Sequence, residues 1–163
     1  MVATLLVALV LVAPPAWFPQ NAGWQLGSAR LEAAGCSRCV QTESWASTVR
    51  YADPPNQLPP HRTMAKLRRD GIIIHVTRSW EPAAPRWVRQ RHPLRIRQAA
   101  IHANFEGNTT DGRVSLWQGA TWRSGSYMSV FVFFGAPVPS AATVARAQAE
   151  LDAVQLPAWH LGR

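Results

Sequence analysis

Two cysteines separated by two residues, Cys36-Ser-Arg-Cys39, have the spacing that most directly suggests chemistry in this chain. Such a pair exchanges disulfides when a helix N-terminus within a βαβ unit lowers the pKa of one thiol. It can instead supply half of a tetrahedral zinc site. A third option is a structural disulfide across a tight turn, for which the Cα atoms must lie about 5.5 Å apart. Cys39 is followed by Val-Gln-Thr-Glu-Ser-Trp45, a strand-like stretch, and none of the histidines (His61, His75, His92, His102, His160) forms a metal-ligating pair by spacing. A structural Cys36–Cys39 disulfide is the expected state, with no metal and no cofactor.

The second candidate is a run of arginines. Residues 61–97 hold ten basic side chains against Asp70 and Glu81, so this segment carries the whole formal net charge of +8. Sixteen of the 17 basic residues are Arg, which fits GC-rich coding as well as any binding role. Within the segment Arg89, Arg91, Arg95 and Arg97 fall at alternate positions, with Arg86 and Trp87 beside them. An extended chain projects alternate side chains to one side. Arg86, Trp87, Arg89, Arg91, Arg95 and Arg97 are therefore the expected binding residues for phosphate, sulfate or carboxylate groups. The competing reading is an edge strand that charge protects from pairing with another sheet.

Other chemistry is thinly represented. There is no Gly-x-Ser-x-Gly elbow, phosphate-cradling glycine loop or His-Glu-x-x-His helix. Glu43, Glu81 and Glu106 are isolated in sequence, and the polar face His75–Thr77–Ser79 is explained by half exposure alone. Asn108-Thr-Thr110 fits a glycosylation acceptor and equally a polar turn. Of eight tryptophans most lie in strand-like segments, where packing is the default. Trp87 and Trp122 are the better surface candidates.

The elements that would hold these residues read as follows. Gly23–Leu31 and Val40–Tyr51 are strands, joined to the next element by the Pro-rich connection Asp53–Pro60. Thr63 caps a short helix, Met64–Asp70, closed by Gly71. Ile72–Trp80 is a strand with Ile72, Ile74 and Val76 on one face and Ile73, His75, Thr77 and Ser79 on the other. Leu94–Ala99 is expected as an edge strand, with Leu94 and Ile96 inward. Ile101–Phe105 and Val114–Thr121 flank a loop from Gly107 to Gly112. Tyr127–Phe134 is apolar on both faces near its end and reads as a central strand. Ser140 caps a helix running to about Val154, with Val144, Ala147, Leu151 and Val154 as its apolar stripe. The sum is an α+β domain: a single antiparallel sheet, a short internal helix, and a C-terminal helix packed on one sheet face.

The first 29 residues carry no charged side chain and open with an apolar run to Ala13. As a helix that run spans about 18 Å, short of a bilayer core of about 30 Å, and Pro14-Pro15 ends it. It reads as an export segment over residues 1–18, a signal peptide or short anchor, ahead of a domain at 19–155 and a tail at 156–163. A buried first helix or strand is the other reading. Export predicts an extracytoplasmic protein, secreted or anchored, which favours the disulfide and disfavours nucleic acid as a partner.

Cys39-Val-Gln-Thr-Glu-Ser-Trp45, Pro59-Pro-His-Arg-Thr-Met64, Asp70-Gly-Ile-Ile-Ile74 and Phe131-Val-Phe-Phe-Gly135 resemble small exported bacterial proteins of unknown function. The layout resembles the Mog1/PsbP-like α+β domains, a likeness of fold that implies no activity. The expected function is non-enzymatic binding of a protein partner, an anionic cell-surface polymer or a membrane surface through the Arg62–Arg97 segment. The alternative is a thiol–disulfide or other extracytoplasmic enzyme, and a third possibility is a subunit docking its sheet face on a membrane complex.

Overall fold

Five antiparallel strands form one sheet in the computed structural model, which describes residues 17–32, 40–55, 57–79, 93–123 and 126–155. The strands are β1 (Gln25–Glu32), β2 (Val40–Ser47), β3 (Ile72–Ser79), β4 (Ser115–Arg123) and β5 (Ser126–Phe134), ordered β1-β2-β3-β5-β4. Two helices complete the fold, α1 (His61–Met64) and α2 (Ala141–Asp152). The expected α+β architecture holds. The leader to residue 16, Cys36 and Cys39, the segment from Trp80 to His92 and the tail from residue 156 lie outside the described residues.

Alternation along β3 decides the layering. Ile72, Ile74 and Val76 join Val130, Val132 and Phe134 of β5 in a core closed by Ala147 and Leu151 of α2 and by Val154 just beyond it. Ile73 and Phe133 point the other way, into a smaller cluster with Met64, Leu67, Val114 and Leu116. β5 pairs with β3 on one side and β4 on the other, which is why its sequence is apolar on both faces. Ser140 caps α2 as its position predicts, its Oγ accepting from the Thr143 N–H at 3.1 Å.

Trp17 and Phe18 belong to the larger core. Trp17 donates its backbone N–H to Ser44 Oγ at 3.1 Å, and its carbonyl accepts from Gln155 N–H at 2.8 Å. Trp24 and Trp117 are buried in the same core.

The sequence reading needs three corrections. The internal helix spans His61–Met64 and shares only Met64 with the expected Met64–Asp70, and Thr63 lies within it and is not its cap. Asp53, reaching across the Pro-rich connection, accepts from the Arg62 and Thr63 N–H groups at 2.9 and 2.8 Å and from Thr63 Oγ1 at 2.5 Å. A carboxylate distant in sequence thus takes the free amides of the first turn. Leu94–Ala99 is not an edge strand, although Leu94 is buried and Arg95 and Arg97 are exposed. Gln148 of α2 substitutes for a partner strand: its Oε1 accepts from Ile96 N–H at 2.8 Å and its Nε2 donates to Leu94 O at 3.1 Å. Residues 101–105 form only an isolated bridge, His102 to Leu116.

Candidate functional site

The described residues of the basic segment do not share one face. Arg78, at an α2-facing position of β3, is only 1% exposed. Arg95 makes a bidentate pair with Asp152 at 3.0 and 2.9 Å, on the flank of α2 that Gln148 also occupies. Arg97 is exposed on the same extended segment. Arg86, Trp87, Arg89 and Arg91 lie outside the described residues, and so does the proposed Cys36–Cys39 disulfide.

What the fold assembles instead is a pair of clefts sharing Arg68. One, of about 510 Å³, is lined by Arg50, Arg68, Arg146, Asp70 and the backbone of Gly23 and Gly71. The other, of about 640 Å³, lies between Arg68, Arg69 and Arg113 on one side and residues 135–138 on the other. Six parts of the chain converge here: Gly23 before β1, the residues after β2, the turn between α1 and β3, the approach to β4, residues 135–138 after β5, and α2. Local geometry fixes the arginines. Gly71 closes the turn, donating to Arg68 O at 2.8 Å. Gly135 N–H then donates to Gly71 O at 2.9 Å, and a Cβ at position 135 would overlap the Arg68 carbonyl. Arg146 lies over the Trp24 ring, 5.1 Å from its centroid, an arrangement that orients the guanidinium without neutralising it. Arg113 spends its donors on structure, reaching Leu67 O at 2.6 Å and Ala65 O at 3.2 Å. Among the described residues, the cations left to face the clefts are Arg50, Arg68, Arg69 and Arg146, with Asp70 as the single acid lining either one.

A second assembly lies on the sheet face away from α2. Register sets Trp45 opposite His75 and Glu43 opposite Thr77. His75 Nε2 meets Glu43 Oε2 at 3.0 Å and His75 Nδ1 meets the Tyr51 hydroxyl at 3.2 Å. Tyr51 stacks on Trp45 with centroids 4.6 Å apart, and the Trp45 ring fills the space left by Gly27. With Nε2–H donating to the carboxylate, Nδ1 accepts from the hydroxyl, and a neutral imidazole satisfies both neighbours. A general base needs an available nitrogen. Both nitrogens of His75 are occupied and the ring is 0% exposed, so the trio ties β2, β3 and the chain after β2 together.

Burial, reinforced by Glu43 and Asp53, pushes the Tyr51 phenol well above its ordinary value. The folded state therefore holds this proton more tightly than the unfolded state, and the resulting stability is complete below about pH 10. Above that pH stability should fall by up to about 1.4 kcal/mol per pH unit. Urea midpoints measured from pH 9 upward should show this slope in the native protein and a flatter one in Tyr51→Phe.

Glu43, His75 and Tyr51, like Arg50, Arg113 and Arg146, escape sequence reasoning because non-local pairing brings them together. The available signal is a carboxylate within a strand at the same alternation as Trp45. Among the described residues no group of three His, Cys, Asp or Glu side chains is placed to hold a metal ion, and no helix is long and apolar enough to cross a membrane. No family model, no curated protein and no solved structure matches the chain.

Proposed function

We propose that this chain is an extracytoplasmic, non-enzymatic domain that binds an anionic polymer through the paired arginine clefts. The observation that carries this reading is the convergence of Arg50, Arg68, Arg69 and Arg146 on two adjoining concavities in which Asp70 is the single acid among the described residues. Guanidinium groups fork phosphate, sulfate and carboxylate oxygens in bidentate geometry. Two clefts hinged on one arginine suit a ligand carrying successive charges better than a single ion. The compartment is an expectation from the apolar leader. Arg86, Trp87, Arg89 and Arg91 are proposed as further contacts for the same polymer.

Polyphosphate titrated into the full chain at low salt provides the test. Arg50→Glu/Arg68→Glu/Arg146→Glu should weaken binding at least about tenfold, whereas Arg95→Glu/Arg97→Glu should change it less than about threefold. Affinity of the native protein should fall linearly on a logarithmic salt axis. Binding that survives the triple reversal, or ignores salt, overturns the assignment.

A further inference from the structure

On the sheet face away from α2, beside the His75 trio, lies a cleft of about 560 Å³ that the arginine clefts do not share. Its size falls within the roughly 300–1,000 Å³ of small-molecule sites. Half-buried Phe131 lies at its floor above the fully buried Phe133, and Leu58, Pro59 and Phe105 line it as well. Phe105 packs on Phe133 at an inclination of 60° with centroids 5.9 Å apart, which seats that wall on the buried ring.

The walls are fixed before any ligand arrives. Asn108 Nδ2 donates to Ala103 O at 2.7 Å and to Val114 O at 3.0 Å, clasping the loop that carries Phe105. His102 is held against Leu116 by paired backbone hydrogen bonds of 3.0 and 2.9 Å. Pro59 closes on the opposite loop so nearly that its Cδ would lie 3.1 Å from a Cβ on Gly107. A preformed wall spares the ligand the cost of ordering it.

The rim inverts the charge of the rest of the molecule. In a chain of net charge +8, Glu106 is the one carboxylate among the described residues lining this cleft, and no described Arg or Lys accompanies it. His102 Nδ1 lies 3.3 Å from Ala100 O and must donate to it, which leaves Nε2 of the neutral ring as an acceptor. Gln118 contributes an amide at the inner edge. Aromatic floor and acceptor rim together select a flat ring with a hydrogen-bond-donating, positively charged substituent.

We infer that the cleft between the Leu58-Pro59 and His102–Glu106 loops binds a planar aromatic ring carrying an alkylammonium group, with the ring on Phe131 and the ammonium at Glu106. The site is separate from the arginine clefts, and its ligand is of opposite charge.

Tryptamine and indole-3-acetate, which share a ring and differ in the sign of their charge, are the probes, titrated calorimetrically into the full chain. Tryptamine should bind, and indole-3-acetate should bind at least about tenfold more weakly. Glu106→Gln should reduce that preference below about threefold while leaving the urea midpoint unchanged. Gln118→Trp, which fills the cleft from a half-buried position, should remove tryptamine binding while polyphosphate binding persists. No tryptamine binding at about 5 mM, or a preference for the amine that survives Glu106→Gln, overturns the inference.

Discussion

Gly135→Ala should leave the protein unable to hold its native fold. A Cβ at this position would overlap the carbonyl oxygen and carbon of Arg68 and press on Leu67 Cβ at 3.3 Å. The main obstacle is backbone, so no rotamer change relieves it. Relief requires moving the end of β5 away from the turn before β3, which strains the Gly135 N–H to Gly71 O bond of 2.9 Å. Buried overlaps of this kind belong to the mutations costing more than about 4 kcal/mol, against a total stability of about 5–15 kcal/mol. We expect a fall in Tm of at least about 12 °C by circular dichroism, or loss of the folded protein altogether. Gly112→Ala is the control. Gly112 has φ +74° but nothing within 4 Å of its Cβ position, so only the left-handed backbone opposes the change. Its cost should be about 1–2 kcal/mol. Equal effects at the two positions would show that the contact with Arg68 is not what demands glycine. Any Gly135→Ala protein that remains folded should bind polyphosphate poorly, because the residue it displaces is the one both clefts share.

Glu43→Leu should be the most damaging substitution of a polar side chain on the sheet, at about 1–3 kcal/mol in urea denaturation. Glu43 and His75 are each fully buried, and removing the carboxylate leaves the Nε2–H of His75 facing hydrocarbon. The loss exceeds the net worth of the hydrogen bond, because the neutral donor left behind keeps its desolvation penalty. Glu43→Gln, which preserves an oxygen at the same distance, should cost less than half as much. A cycle combining Glu43→Leu with His75→Phe should show coupling of about 1 kcal/mol or more. Additive single effects would mean that Glu43 acts through its other neighbours and that the imidazole is incidental.

Much of the scaffold was legible because it is written in local periodicity. The alternation in Ile72–Ser79, the two-sided hydrophobicity of Tyr127–Phe134, and Ser140 ahead of Val144, Ala147 and Leu151 each name an element and the face it buries. The misplaced start of α1 has a non-local cause, since Asp53 supplies the cap from across the proline-rich connection. Leu94–Ala99 has the alternation of an edge strand, yet one glutamine on a distant helix meets its hydrogen-bonding needs. The site was the least legible part. Charge counting located a basic segment but could not tell Arg78, interior, from Arg68, which opens onto two clefts. Nor could it join Arg50 and Arg146 to them from elsewhere in the chain. Cross-strand register, which sets Trp45 beside His75, is a property of pairing, and composition does not encode it.

The hydrogen bond from Gln155 N–H to Trp17 O means that the described domain is entered and left at one place. Trp17 and Gln155 are therefore neighbours, an arrangement that suits circular permutation or insertion into a host loop. That junction adjoins the C-terminal end of α2, while Pro137 and Val138, which line the larger arginine cleft, precede its N-terminal end. The helix has 12 residues, so the two ends stand about 18 Å apart. A tether at the junction would hold the domain by one end of α2, with Pro137 and Val138 of the larger cleft at the other.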